Sequence, residues 1–139
     1  MDRIKYKNFN LKDFSKTEIL LKNYEGCNFK NCKFKECTIK YSTFINCNFY
    51  NCDFQDSEQL NNNYSSSLLS SCNFSLNNLH QCSFEACTIK KCNFQDCNLT
   101  KSNFKLAFIK GSTFKYSNIL HAFFNDKLVK PFIEEEEDW

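Results

Sequence analysis

Large apolar side chains return at every fifth residue from Ile4 to Phe124, and that spacing constrains the fold more than any local propensity. The clearest stretch is CNFKNCKFKECTIKYSTFINCNFYNCDF, residues 27–54, where Phe29, Phe34, Ile39, Phe44, Phe49 and Phe54 keep the register. A helix repeats at 3.6 residues and a strand at 2, so neither element produces a period of five. Of 25 such positions, 24 hold Phe, Ile, Leu or Tyr, and only Gln59 departs. All ten cysteines lie two residues before a register position. Two residue types locked to one period mark an internal repeat that runs through the chain.

One large and one small inward residue per five describe a corner of a coiled ribbon. The large side chain fills the axis, the small one tucks against the wall, and the other three face water. Those three are mostly Asn, Lys, Thr, Glu, Gln and Ser. A second period supports the coil. Residues 14, 34, 54, 74, 94 and 114 are all Phe, and 19, 39, 79, 99 and 119 are all Ile or Leu. A 20-residue turn would stack each set as a column at the ~4.8 Å strand spacing. Stacked like side chains pack well in cross-β ladders.

The segments CNFKN, CDFQD, CNFQD, CNLTK and SNFKL carry the pattern small, Asn or Asp, Leu or Phe, and two variable residues. In this the chain resembles the pentapeptide-repeat family over about residues 7–124. The resemblance implies an all-β, right-handed quadrilateral β-helix with four pentapeptides per turn, so about six turns in this chain. The expected organisation is one β-helix over 1–124 and a C-terminal cap and acidic tail over 125–139.

Ten cysteines would suit a secreted disulfide scaffold, but the lattice explains them as small, apolar, buried residues. Reduced structural thiols are expected. Cys32, Cys52, Cys72 and Cys92 fall in one column, yet side chains projecting in parallel are poorly aimed for disulfides. Zinc sites use cysteines two to four residues apart, and this chain spaces its cysteines by five or more. The N-terminal MDRIKYKNFN lacks an apolar run, so a cytoplasmic location and no membrane contact are expected.

Three stretches depart from the regular pattern. Residues 1–21 place Lys7, Lys12 and Thr17 at small positions, as a partly exposed first turn would. Residues 57–70 put Gln59 on the axis and Leu60 and Leu68 in the wall, so an irregular turn or loop is expected there. Gln59, Leu60, Asn61, Asn62, Asn63 and Leu68 are its candidate interaction residues. Toward the end, Leu106, Phe108, Tyr116, Leu120 and Phe123 occupy wall positions, and Leu128, Val129 and Phe132 follow. Together they form a candidate cap or homodimer surface. NDKLVK suits one or two helical turns halted by Pro131, ahead of the acidic EEEEDW.

Catalytic chemistry finds no anchor in this pattern. His80 and His121 take outward positions, the cysteines take inward ones, and no phosphate loop or nucleophile elbow is written in the chain. No enzyme, cofactor or metal is expected. Over residues 22–121, 11 Lys stand against seven acids (11 − 7 = +4). The triplets Lys30, Lys35, Lys40 and Lys105, Lys110, Lys115 step by five and so move from face to face. That distribution argues against a phosphate-binding stripe and against direct nucleic-acid binding.

The leading expectation is therefore a non-catalytic protein-interaction scaffold whose partner the sequence does not name. A second one comes from the stretch DFSKTEILLKNYEGCNFKNCKFKECTIKYSTFINCNF, residues 13–49. It is similar to the N-terminal part of the quinolone-resistance pentapeptide proteins, with a DFS start, then C-x-F-x-x-C-x-F-x-x-C-x-I. That resemblance implies binding to a type II DNA topoisomerase such as DNA gyrase, with protection from quinolones or peptide toxins by DNA mimicry.

Overall fold

In the computed structural model, which describes residues 3–125, the ribbon closes one turn of its coil every 20 residues. Each strand pairs in parallel with the residue 20 positions on, as in Phe9↔Phe29, Phe29↔Phe49 and Leu69↔Ile89. One face is a six-stranded sheet of β2 (Asn8–Asn10), β5 (Asn28–Lys30), β8 (Asn48–Tyr50), β10 (Leu68–Ser70), β11 (Thr88–Lys90) and β12 (Phe108–Lys110). Two faces start as three-stranded sheets. The first contains β1 (Arg3–Lys5), β4 (Asn23–Glu25) and β7 (Thr43–Ile45), and the second β3 (Glu18–Leu20), β6 (Thr38–Lys40) and β9 (Glu58–Leu60). The fourth face is a ladder of single bridges, Asp13↔Lys33↔Asp53↔Asn73↔Asn93↔Thr113. Five 20-residue steps link the six levels of the long sheet, and the described residues contain no helix.

The axis is filled by the register residues. Phe29, Phe34, Phe44, Phe49, Phe54, Phe74, Phe84 and Phe94 are wholly buried. Rings one turn apart lie almost parallel, as in Phe34–Phe54 and Phe54–Phe74 with centroids 4.5 Å apart. Rings on opposite faces meet edge-on across the axis, as in Phe84–Phe94 at 5.7 Å and 87°. The core therefore repeats both arrangements that aromatic quadrupoles favour. At about 1.5–3 kcal/mol per buried large side chain, this axis dominates the stability of the coil.

The small inward residue closes the gap between levels. Its side chain donates to the carbonyl of the core residue 23 positions earlier: Cys32 Sγ to Phe9 O at 3.4 Å, Cys92 Sγ to Leu69 O at 3.4 Å. Serine does the same, with Ser57 Oγ on Phe34 O at 2.5 Å. Cysteine suits the slot because it is small, readily buried and still a weak donor. In the first turn, where Lys12 holds this slot, its Nζ instead lies over the Phe9 and Phe14 rings at 5.5 and 5.1 Å. A cation over the terminal rings covers the open end of the aromatic axis.

Every corner is made the same way. The residue two after each core position has φ between 52° and 64° along the coil, from Tyr6 to His121. A left-handed conformation costs an L-residue roughly 1–2 kcal/mol. From Tyr6 to Lys101 the same residues donate their N–H to the next turn, as Leu11 to Lys30 O at 2.9 Å and Asn31 to Tyr50 O at 2.9 Å. The ladder thus offsets the strain.

The wall changes character after Leu60. Up to that point two faces carry strands; from Asn63 onward those faces carry turns. Asn just before the core residue holds the turn, accepting from the N–H two residues on: Ser65 N to Asn63 Oδ1 at 2.9 Å, Thr100 N to Asn98 Oδ1 at 3.1 Å. A backbone bond closes it, as in Ser67 N to Tyr64 O at 3.2 Å and Ser102 N to Leu99 O at 3.1 Å. These are Asx-turns. The expectation of an irregular turn or loop at 57–70 is corrected here. The segment holds β9 and β10 in register, and Gln59, Tyr64 and Leu69 are all wholly buried. Its odd composition marks the strand-to-turn junction, with no bulge from the coil. The helix and acidic tail expected beyond residue 125 lie outside the described residues.

Candidate interaction surfaces

The six candidate residues of the 57–70 segment separate into inside and outside. Gln59 and Asn62 are buried and belong to a polar cluster within the axis. Gln59 Nε2 donates to Asn77 Oδ1 at 2.9 Å, and its Oε1 accepts from the Tyr64 hydroxyl and from Asn62 Nδ2 at 3.5 Å. Asn62 Nδ2 also donates to Ile39 O at 2.8 Å while its Oδ1 accepts from Ser42 N at 3.1 Å. Asn77 Nδ2 donates to Phe54 O at 2.7 Å. Burial holds the Tyr64 phenol well above its usual range, so it stays a donor. Leu60 and Leu68 are half-buried in the wall, Asn63 holds its turn, and Asn61 is exposed. This segment is therefore a junction with little surface to offer. The signal for the cluster is in the chain: Gln59 takes a large inward slot, and Asn62 and Asn77 take the two small inward slots beside it.

The C-terminal candidates form a collar. Leu106, Phe108, Tyr116, Leu120 and Phe123 are 53–69% exposed and come from all four sides of the last turn. Phe123 is anchored by its backbone, donating to Ser102 O at 2.9 Å and accepting from Phe104 N at 2.7 Å. Inside the collar Phe124 stacks on Phe104 at 4.7 Å and remains half-buried, as does Ile119. Leu128, Val129 and Phe132 lie outside the described residues.

The histidines are wall residues. His80 Nδ1 shares a hydrogen bond with Thr100 Oγ1 at 2.6 Å, and His121 is exposed. The lysines are less scattered than their five-residue spacing suggests. Lys30, Lys90 and Lys110 share one column of the six-stranded face, with Lys90 and Lys110 direct register partners.

All ten cysteines are free thiols and all are buried. Burial pushes Cys47, Cys82, Cys87 and Cys97 up to about 12. In the Cys52–Cys72–Cys92 column the flanking thiols, together with burial, hold Cys72 well above its ordinary value. A thiol kept protonated is neither nucleophile nor metal ligand. Among the described residues no three His, Cys, Asp or Glu side chains gather as a metal site would require.

Family models described as pentapeptide repeats match residues 24–58, 78–115 and 92–126. No curated protein sequence matches the chain. Among solved structures, the pentapeptide repeat protein Rfr23 from the cyanobacterium Cyanothece 51142 matches at TM-score 0.53 and 11% identity, over 88% of each chain. HetL from Nostoc sp. strain PCC 7120, a pentapeptide repeat protein involved in heterocyst differentiation regulation, gives 0.42 and 10% over 87% of this chain and 88% of that one. A trypsin-treated form of QnrB1, a plasmid-mediated fluoroquinolone resistance protein, gives 0.39 and 20% over 87% and 64%.

Proposed function

The chain belongs to the pentapeptide-repeat family, and on that premise we propose that it is a non-catalytic scaffold that binds a protein partner through the apolar collar at its C-terminal end. The observation that carries this reading is the concentration of five large exposed apolar side chains within residues 106–123. Soluble proteins seldom leave such a patch without a contact to make. The collar rings a coil end, so an end-to-end two-fold homodimer would bury the same residues from both copies.

The test compares the wild type with a Leu106→Asp/Phe123→Asp variant, using light scattering for mass and affinity capture for other partners. Wild-type particles at twice 16.5 kDa that fall to the monomer mass in the variant would identify the homodimer. Capture of a protein by the wild type alone would identify another partner. A folded variant matching the wild type in both measurements would end the reading.

A second reading, topoisomerase binding, is favoured by the motif in residues 13–49. Its Cys27, Phe29, Cys32, Phe34, Cys37 and Ile39 are all buried, so the motif speaks for the coil more than for a partner. DNA mimicry also calls for a negative wall, against the +4 counted over residues 22–121. Gyrase supercoiling with a quinolone decides it: rescue at stoichiometric protein supports topoisomerase binding, and no rescue removes it.

A further inference from the structure

Opposite charges stack at several places in the wall. Asp13, Lys33 and Asp53 stack in one ladder, Lys16 lies below Glu36, and Lys5 pairs with Glu25 at 3.6 Å. Opposite charges facing across neighbouring strands stabilise a sheet, and like charges destabilise it. The six-stranded face has no such opposition. Its strands and corners, residues 8–11, 28–31, 48–51, 68–71, 88–91 and 108–111, contain Lys30, Lys90, Lys91 and Lys110 and no acid. All four lysines are exposed, and none makes an ion pair among the described residues. Lys90 and Lys110 face one another across one strand spacing, ~4.8 Å, with Lys91 beside them. Repulsion at that distance lies well inside the ~8 Å physiological screening length.

The chain carries the complementary charge at its own end. The described ribbon finishes at Phe124 and Asn125, with Asn125 Oδ1 accepting from Leu106 N at 3.2 Å. One turn earlier, residues 105–107 are the corner that leads into β12, so the chain leaves the coil beside this face, one level past Lys110. From Asn125 to Glu134 it runs nine residues, enough to span up to ~30 Å. Residues 134–138 are Glu, Glu, Glu, Glu and Asp. Lys30 lies four levels from Lys110, about 19 Å along the sheet, within that reach.

We propose that the acid-free face of β2, β5, β8, β10, β11 and β12 is a docking surface for the chain's own acidic run, residues 134–138, seated in cis over Lys90, Lys91 and Lys110. The tail supplies the counter-charge that this face lacks and screens it from other anionic partners.

The test is the rate of lysine acetylation by an amine-reactive ester, read residue by residue by mass spectrometry. The full chain is compared with a variant carrying Glu134→Gln, Glu135→Gln, Glu136→Gln, Glu137→Gln and Asp138→Asn. Lys90, Lys91 and Lys110 should react about two- to fivefold faster in the variant, the scale set by exposed ion pairs. The difference should vanish at ~1 M salt, where screening falls to about 3 Å. Lys33, Lys35 and Lys40, on other faces, should not change. Equal rates at all lysines would overturn the proposal. So would protection lost on dilution, which would seat the tail on a second copy. Slowing that needs an added DNA duplex, whatever the tail, would assign the face to nucleic acid instead.

Discussion

At the scale of single residues, the cysteines show how one side chain meets several demands of a tight coil. Each fills a small inward slot and donates to a carbonyl in the preceding turn, as Cys52 Sγ does to Phe29 O and Cys87 Sγ to Tyr64 O. The sequence lattice already assigned them this inward, reduced role; the hydrogen bond 23 residues back is a three-dimensional property that no spacing displays. Their titration gives a prediction. In the folded chain Cys47, Cys82, Cys87 and Cys97 sit at about 12, against ~8.5 when unfolded. The unfolded state therefore releases these protons first as pH rises. Their contribution to stability is fully present below pH ~8.5 and is lost progressively up to about 12, by at most ~1.4 kcal/mol per pH unit for each thiol. Urea midpoints measured between pH 8 and 11 should fall more steeply in the wild type than in Cys82→Ala. Parallel slopes would show that Cys82 does not carry this linkage.

At the scale of elements, the junction near Leu60 is where sequence and structure part company. The five-residue lattice made the coil, its columns and its core legible from Ile4 to Phe124. Polar residues in inward slots read as irregularity, because a lone Gln on an apolar axis would cost a buried unpaired amide. What the lattice could not show is that Gln59, Asn62, Tyr64 and Asn77 converge from two turns and satisfy one another. The switch from strands to Asx-turns at the same level was equally hidden, since Asn serves both wall types: Asn28 and Asn48 join in a side-chain ladder at 2.7 Å, whereas Asn98 holds a turn. The cluster predicts an unusual outcome. Gln59→Leu restores the residue type of its column, which holds Ile39 and Leu79, yet it strands the Asn77 carbonyl and the Tyr64 hydroxyl. It should destabilise the chain by roughly 1–3 kcal/mol. The further change to Gln59→Leu/Asn77→Ser/Tyr64→Phe should recover much of that loss in denaturant unfolding. A stabilised Gln59→Leu single variant would mean the cluster contributes nothing.

At the scale of the whole molecule, two periods are superposed: five residues sets what points inward, and 20 sets what stacks on what. They can be separated by deletion. Removing residues 83–102 joins Cys82 to Asn103 and takes out one full turn. Every remaining column keeps its kind, with Tyr64 now stacking on Phe104. Removing only residues 83–87 joins Cys82 to Thr88 and preserves the five-residue pattern, but rotates everything beyond the joint by one face. Leu79 would then meet Phe104, Phe74 would meet Leu99, and the strands of the long sheet would abut turns. If neighbouring turns supply the packing energy, as in other solenoids, the shorter deletion should be the more harmful. Thermal unfolding should show a cooperative transition for the 20-residue deletion at a Tm modestly below the wild type. The five-residue deletion should melt lower still, despite losing a quarter as many residues. The reverse order would mean that burying an apolar residue every fifth position is sufficient and that column identity is decoration. The predicted order requires that the matched stacks, such as Phe54 on Phe74 at 4.5 Å, and the continuous parallel ladder hold the coil in one register.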